Sequence, residues 1–297
     1  MNTHCRIITY TVPPQQPPVR IRTFLRGLGY SHQNLIELKK HQGSVAVDGT
    51  ARYFNERLYG GEQVTVRIPL DGDPQETVVP VRLPVEIVYE DEDLLVVNKP
   101  AGMPTHPSFG NRDNTLANAM AWYFREKGEP YTFRCSNRLD RDTSGLTVLA
   151  RHMVSGSILS EMGARHALRR EYLAIVRGIP QPESGTINAP LSREEGSILK
   201  RRVDFENGET AVTHYKTLKT KDGYSLVSLV LETGRTHQIR VHMQYIGTPL
   251  IGDYLYNPDY EKMHRQALHS ARLSFTHPIT GEAMSFEAAL PEDMRWM

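Results

Sequence analysis

A chain of 297 residues is long enough for one large domain and a small one. Its 39% hydrophobic and 23% charged residues suit a globular protein. No apolar run nears the ~18 residues of a membrane helix, so no membrane partner is expected. The net charge of +1 does not announce nucleic acid, but residues 1–70 hold 9 Lys+Arg against 4 Asp+Glu while the remainder holds 26 against 30. That excess of +5 points to a first part that grips phosphate.

The first residues lack an apolar signal core. Cys5 and Cys135 form no CxxC pair, and the expectation is a reduced, cytoplasmic protein. Ile7 to Val12 reads as a short strand, and Pro13 to Pro18 as a stiff connector. Ile21, Phe24, Leu25 and Leu28 have helical spacing, and Gly29 stops the run. Ser31 is an N-cap for a second helix with Leu35, Ile36 and Leu38 on its apolar face. Val45–Val47 and Val64–Ile68 are short strands, the first followed by an Asp48-Gly49 turn. Residues 1–70 are therefore expected to form one unit, residues 71–84 a linker punctuated by Pro74, Pro80 and Pro84, and residues 85–297 the main body.

In the body, Val85–Tyr89 and Asp93–Asn98 read as strands, and Lys99-Pro100-Ala101-Gly102 as a sharp turn. Asn114 is placed to cap a helix carrying Leu116, Ala119, Met120 and Tyr123. A polar loop, Asn137 to Gly145, precedes the apolar run Leu146–Ala150, a buried strand. Thr143, Ser144 and Gly145 suit a tight turn that admits another backbone. Asp140 and Asp142 thus sit on the lip of a sheet, interleaved with Arg138 and Arg141. A carboxylate beside guanidinium groups stays ionised at neutral pH and can serve as nucleophile or base. A surface ion-pair cluster is the bland alternative. Val154, Ile158, Leu159 and Met162 mark an amphipathic helix, and Glu171–Val176 a strand. Lys200, Arg201 and Arg202 lie between Gly196 and Gly208, in a hairpin that contacts phosphate or in a solvated loop. Val212–Leu218 and Tyr224–Leu231 form a hairpin through Asp222-Gly223, and Thr236 is available to cap a helix after the second strand. His237 and His242 match no zinc-ligand spacing, so no metal is expected. Met284–Ala288 is the last strand.

Three stretches carry a family resemblance. Arg138-Leu139-Asp140-x-x-Thr143-Ser144-Gly145, the run Gly234-Arg235-Thr236-His237-Gln238-Ile239-Arg240-Val241-His242, and Ile87 to Gly102 resemble the RluA/RluD family of RNA pseudouridine synthases. Gly247 to Asp253, Leu268 to Ala271 and His277 to Glu282 extend the likeness over residues 85–297. The resemblance implies an α+β body with a mixed, mainly antiparallel sheet and flanking helices. It implies isomerisation of uridine to pseudouridine in RNA, with no cofactor, by a monomer. Ribosomal RNA is favoured as substrate, with transfer RNA as the other possibility. By the same resemblance Asp140 is catalytic, Tyr172 lies against the target base, and Arg235 is the basic residue near Asp140. Arg138 supports the loop or fills the gap left by a flipped base. Asn137 stands where the family usually has His. Residues 19–70 resemble an S4 RNA-binding domain, a small α/β module, in which Arg22, Arg26, Lys39 and Lys40 would hold RNA backbone; Lys200 and Arg201 are further candidates. The sequence leaves open whether Asp140 attacks C1′ or C6 or removes the 2′ proton. Two other classes remain: a non-catalytic RNA-binding assembly factor, and a hydrolase using Asp140 with Asp142.

Overall fold

The computed structural model describes residues 4–70, 78–257 and 262–297. The expected linker turn Asp71 to Pro74 lies outside the described residues. The chain begins with β1 (Cys5–Thr11), β2 (Val19–Arg20), α1 (Ile21–Gly27), α2 (His32–Lys39), β3 (Val45–Val47), β4 (Thr50–Ala51), β5 (Arg57–Leu58) and β6 (Gln63–Pro69). Strands β1, β6, β3 and β4 form a four-stranded sheet in that order. Ser31 caps α2 in a reciprocal capping box with Asn34. Ile21, Leu25, Leu35 and Leu38 bury the inner faces of the two helices against Val64, Val66 and Ile68.

The body follows with β7 (Glu86–Glu90), β8 (Leu94–Lys99), α3 (Leu116–Glu126), β9 (Ser144–Ala150), α4 (Met153–Ala164), β10 (Arg169–Arg177) and β11 (Ser184–Asn188). Then come β12 (Leu191–Arg193), β13 (Arg201–Val203), β14 (Val212–Lys221), β15 (Tyr224–Leu231), α5 (Gln238–Tyr245), β16 (Leu268–Thr276) and β17 (Ala283–Glu287). A nine-stranded sheet runs β11-β14-β15-β10-β16-β9-β8-β7, with β17 added beside β16. Among the described residues only the β9–β16 pairing is parallel. The fold is thus mixed α+β with a mainly antiparallel sheet. Its central strands are buried on both faces, and alternation assigns their residues. Leu94, Val96, Leu146 and Val148 pack on the α4 side, whereas Leu95, Val97 and Leu149 pack under α3 with Met120 and Phe124. Among the described residues no helix is long and apolar enough to cross a membrane.

Asp48-Gly49 and Asp222-Gly223 both close hairpins, with φ of 47° and 79°, and of 50° and 80°. Two local expectations shift. The cap of α3 is Thr115, one residue after Asn114, in a capping box with Asn118. Of the turn expected at Thr143–Gly145, Ser144 and Gly145 already belong to β9. The close approach is nevertheless real: a Cβ on Gly145, at φ +110°, would lie 2.3 Å from the Ser270 carbonyl oxygen.

The first unit is docked onto the body. Val154 and Ile158 of α4 belong to its apolar core. Arg6 of β1 donates to both carboxylate oxygens of Asp93 at 2.8 and 3.1 Å, and His152 Nε2 lies 2.8 Å from the same group. Against the pull of burial, these partners hold the Asp93 carboxyl below its ordinary range. Asn34 Nδ2 donates to the Met153 carbonyl at 3.1 Å. Within the expected linker of residues 71–84, Val81 N donates to Asn118 O at 3.1 Å, so its last part is already pinned along α3.

Burial also fixes how the fold responds to acid. His269 is 1% exposed, and burial pushes its pKa from 6.5 down to about 4. Between those values the unfolded chain binds the proton and the folded chain does not. Stability is therefore full above pH 6.5 and declines as pH falls toward 4. Denaturant midpoints measured from pH 8 to 4 should fall across this window, and His269→Gln should flatten part of the fall.

Candidate active site

The loop before β9 is pinned from several sides. Asn137, 2% exposed, accepts from Val148 N through its side-chain oxygen at 2.8 Å, and its amide donates to Leu146 O at 3.3 Å. The Asn at this departure from the family pattern is therefore a staple between loop and strand. Thr105 Oγ1 donates to Leu139 O at 2.9 Å. The Lys99 ammonium lies wholly buried beneath the loop and donates to the carbonyls of Pro100, Met103 and Arg141 at 2.9, 2.8 and 3.0 Å. Burial pulls its pKa down to about 7, while Asp140 and Asp142 pull the other way.

So held, the loop presents the Asp140 carboxylate to a cleft of about 580 Å³. The same cleft is lined by Arg138, Arg170, Tyr172, Arg235, His237 and Arg240. Tyr172 comes from β10, is 4% exposed, and packs with Leu139, Leu229 and Ile239. Burial raises its phenol pKa, keeping the ring neutral.

The carboxylate partner is a different arginine from the expected one. Arg240 Nη1 donates to Asp140 Oδ2 at 2.9 Å. Its Nε and Nη2 donate to Asp253 at 2.6 and 2.8 Å. Arg240 is 2% exposed, with its guanidinium 5.1 Å from the Tyr256 ring centre. Burial opposes its charge, but Asp253 and Asp140 outweigh burial and raise its pKa. Arg235 lines the cleft but turns outward, paired with Glu209 and donating from Nε to Thr210 O at 3.1 Å. The reason is local. Thr236 does not cap α5; His237 takes that place with φ +59°, and Gln238 Oε1 accepts from Arg235 N at 2.9 Å. The helix therefore starts three residues after Arg235 and carries Arg240 on its buried face.

His242 is a satisfied structural histidine, with Nδ1 2.8 Å from Thr213 Oγ1 and Nε2 2.9 Å from Ala189 O. His237 borders the site, its Nε2 3.9 Å from Asp140. Asp142 pairs with exposed Arg141 at 2.9 Å. The Asp91, Asp93 and His277 side chains could together hold a cation. Their ligand atoms are already engaged by Tyr89, Arg6, His152 and backbone N–H groups, which argues for a structural knot. Arg22, Arg26, Lys39 and Lys40 are exposed on α1 and at the end of α2, with Lys39 over the Phe54 ring. Arg138 is exposed beside Asp140; Lys200 and Arg201 are half-buried at the β12–β13 hairpin.

Comparison with known proteins gives this arrangement a context. The family described as RNA pseudouridylate synthase matches residues 93–245. The chain is 39% identical over 274 residues to the uncharacterized RNA pseudouridine synthase YjbO of Bacillus subtilis, covering 92% of this chain and 96% of that one. It is 42% identical over 249 residues to ribosomal large subunit pseudouridine synthase D of Zymomonas mobilis, covering 78% and 76%. Among solved structures, human RNA pseudouridylate synthase domain containing 1 superposes with a TM-score of 0.58 at 26% identity, over 69% of this chain and 83% of that one.

Proposed function

Because the chain belongs to the RluA/RluD-like RNA pseudouridine synthases and isomerises uridine in RNA to pseudouridine, we propose that Asp140 carries the reaction and that ribosomal RNA is the substrate. The observation that carries the assignment is the Asp140 carboxylate held at 2.9 Å by buried Arg240 on the wall of a cleft that also holds Tyr172. The reaction breaks the N1–C1′ bond, turns the uracil and joins C5 to C1′; C5 gives up its proton and N1 takes one up, so the product is an isomer. The base must first leave its stack. Tyr172 then offers a neutral aromatic face, and such stacking contributes about 1–3 kcal/mol. Arg240 keeps the carboxylate aimed at the cleft. In this reading Arg240 takes the place expected of Arg235, which is left to meet RNA at the rim. Arg138 supports the loop or fills the gap left by the flipped base. The ribosomal substrate is supported by the relatives named as large-subunit pseudouridine synthases. Pseudouridine maps of total RNA from cells with and without the protein test this reading. One or a few ribosomal sites should disappear; an unchanged map would favour a non-catalytic assembly factor.

The Tyr172 assignment has its own test. Tyr172→Phe keeps the aromatic face and should retain most RNA affinity, with any role of the hydroxyl read as a rate loss. Tyr172→Ala should lose roughly tenfold or more in affinity, and stability through the cavity it leaves. Wild-type affinity and rate in both would make Tyr172 a core residue.

The domain assignment is that residues 1–70 are an S4-like RNA-binding domain, 71–84 a linker and 85–297 the catalytic domain. Its support is the helix pair followed by a hairpin sheet, with Arg22, Arg26, Lys39 and Lys40 exposed. Replacing all four by Ala should weaken binding to a structured RNA and make its salt dependence shallower, by about 0.7–0.9 in log–log slope for each phosphate that is no longer neutralised. An unchanged slope would turn the unit into a protein-docking module.

A further inference from the structure

Arg170 lies two residues before Tyr172 on β10, so alternation brings both side chains to the cleft face of the sheet. Its Nε is buried with no hydrogen-bond partner. Three other cleft guanidinium groups have acidic partners: Arg240 has Asp140 and Asp253, Arg235 has Glu209, and Arg141 has Asp142; Arg138 has none among the described residues, but it is exposed to solvent. Among the described residues no carboxylate pairs with Arg170. The fold nevertheless makes room for it. A Cβ on Gly234 would lie 2.9 Å from Nη1, so the guanidinium rests against bare backbone at the start of the Gly234–Arg240 stretch. Nothing among the described residues accounts for a half-buried cation placed this way; an anion arriving in the cleft does. RNA brings one kind of anion, the phosphodiester, and the guanidinium fork matches it with two parallel N–H donors.

We propose that Arg170 is the receptor for a phosphodiester adjoining the target uridine, and that it draws that nucleotide's backbone against the cleft wall as the base enters over Tyr172. This rests on the pseudouridine synthase reading of the same cleft. It adds a positioning contact on the backbone beside the contacts on the base. A side chain merely supporting Tyr172 would not distinguish charged from neutral phosphates.

The test is a neutral-phosphate scan. The probe is a hairpin RNA with a single loop uridine, in which the phosphate on the 5′ or the 3′ side is replaced by methylphosphonate. Wild-type protein should lose about tenfold in affinity with one of the two replacements. Arg170→Met should weaken binding of the unmodified probe by a similar factor and be indifferent to that replacement. Its salt slope should fall by about 0.7, one phosphate's worth on single-stranded RNA. If Arg170→Met does not fold, neutral Arg170→Gln carries the same expectation. Wild-type binding unaffected by either methylphosphonate overturns the proposal without any variant. So does a penalty that persists undiminished in the variant, which would place Arg170 against a base carbonyl or the protein itself. Pseudouridine formation by the wild type is scored separately. Failure of the isomerase reading would show there and not in the affinity scan.

Discussion

Asp140→Asn is expected to lower pseudouridine formation by at least about 10³-fold while leaving the protein folded and able to bind RNA. The substitution keeps the shape of the side chain and removes its charge. Its structural cost is small because Arg240 retains Asp253, which takes two of its donors at 2.6 and 2.8 Å. The Asp140 side chain is itself 26% exposed, so the amide is partly solvated. Stability should change by no more than about 1 kcal/mol. Asp142→Asn is the matched control and should turn over near the wild-type rate, since among the described residues the Asp142 carboxylate pairs with exposed Arg141, and its bond from Arg265 Nη1 goes to the backbone carbonyl, which the substitution keeps. Single-turnover assays with the purified variants decide it. Normal turnover by Asp140→Asn would remove Asp140 from the chemistry.

Arg240→Met should behave in the opposite way, losing stability and activity together. The Asp253 side chain is fully buried, and Arg240 is its only charged partner among the described residues. Removing one member of a buried pair strands the other and typically costs about 3–5 kcal/mol. Arg240→Lys should rescue little, because a single ammonium cannot span Asp253 and Asp140 as the planar fork does. Denaturant titration beside the activity assay separates the two residues. Loss of rate without loss of stability in Arg240→Met would mean that Asp253 finds another partner.

Much of the frame is legible because local chemistry dictates it. Asp-Gly pairs can take the left-handed backbone both hairpins need, and Ser31 has an oxygen in place for the first turn of α2. Strands β8 and β9 read as apolar runs because helices cover both faces. The arginine beside Asp140 is harder to read. Arg235 and Arg240 stand five residues apart in one motif, and what separates them is where α5 begins. That start is set by His237 in a left-handed conformation and by Gln238 bonded to Val212 and Thr213 on a neighbouring strand, contacts that no local pattern encodes. Helix α4 hides a second fact. Val154, Ile158, Leu159 and Met162 read as one stripe, yet Leu159 faces the large sheet while Val154 and Ile158 face the first unit. One helix closes two cores. Arg170 does not stand out in the sequence, because a basic residue at the head of a strand looks solvated until the burial of its guanidinium is seen.

The sharing of α4 bears on how an RNA would be measured. With Ile158 seated against Gly29, and Arg6 clamped on Asp93, the small unit and the cleft are spaced like the jaws of a fixed caliper. A folded RNA that touches both must present its backbone and its uridine at that one separation. The work of fitting then falls on the RNA, and loops already bent to the right span gain an advantage that no base-specific contact supplies.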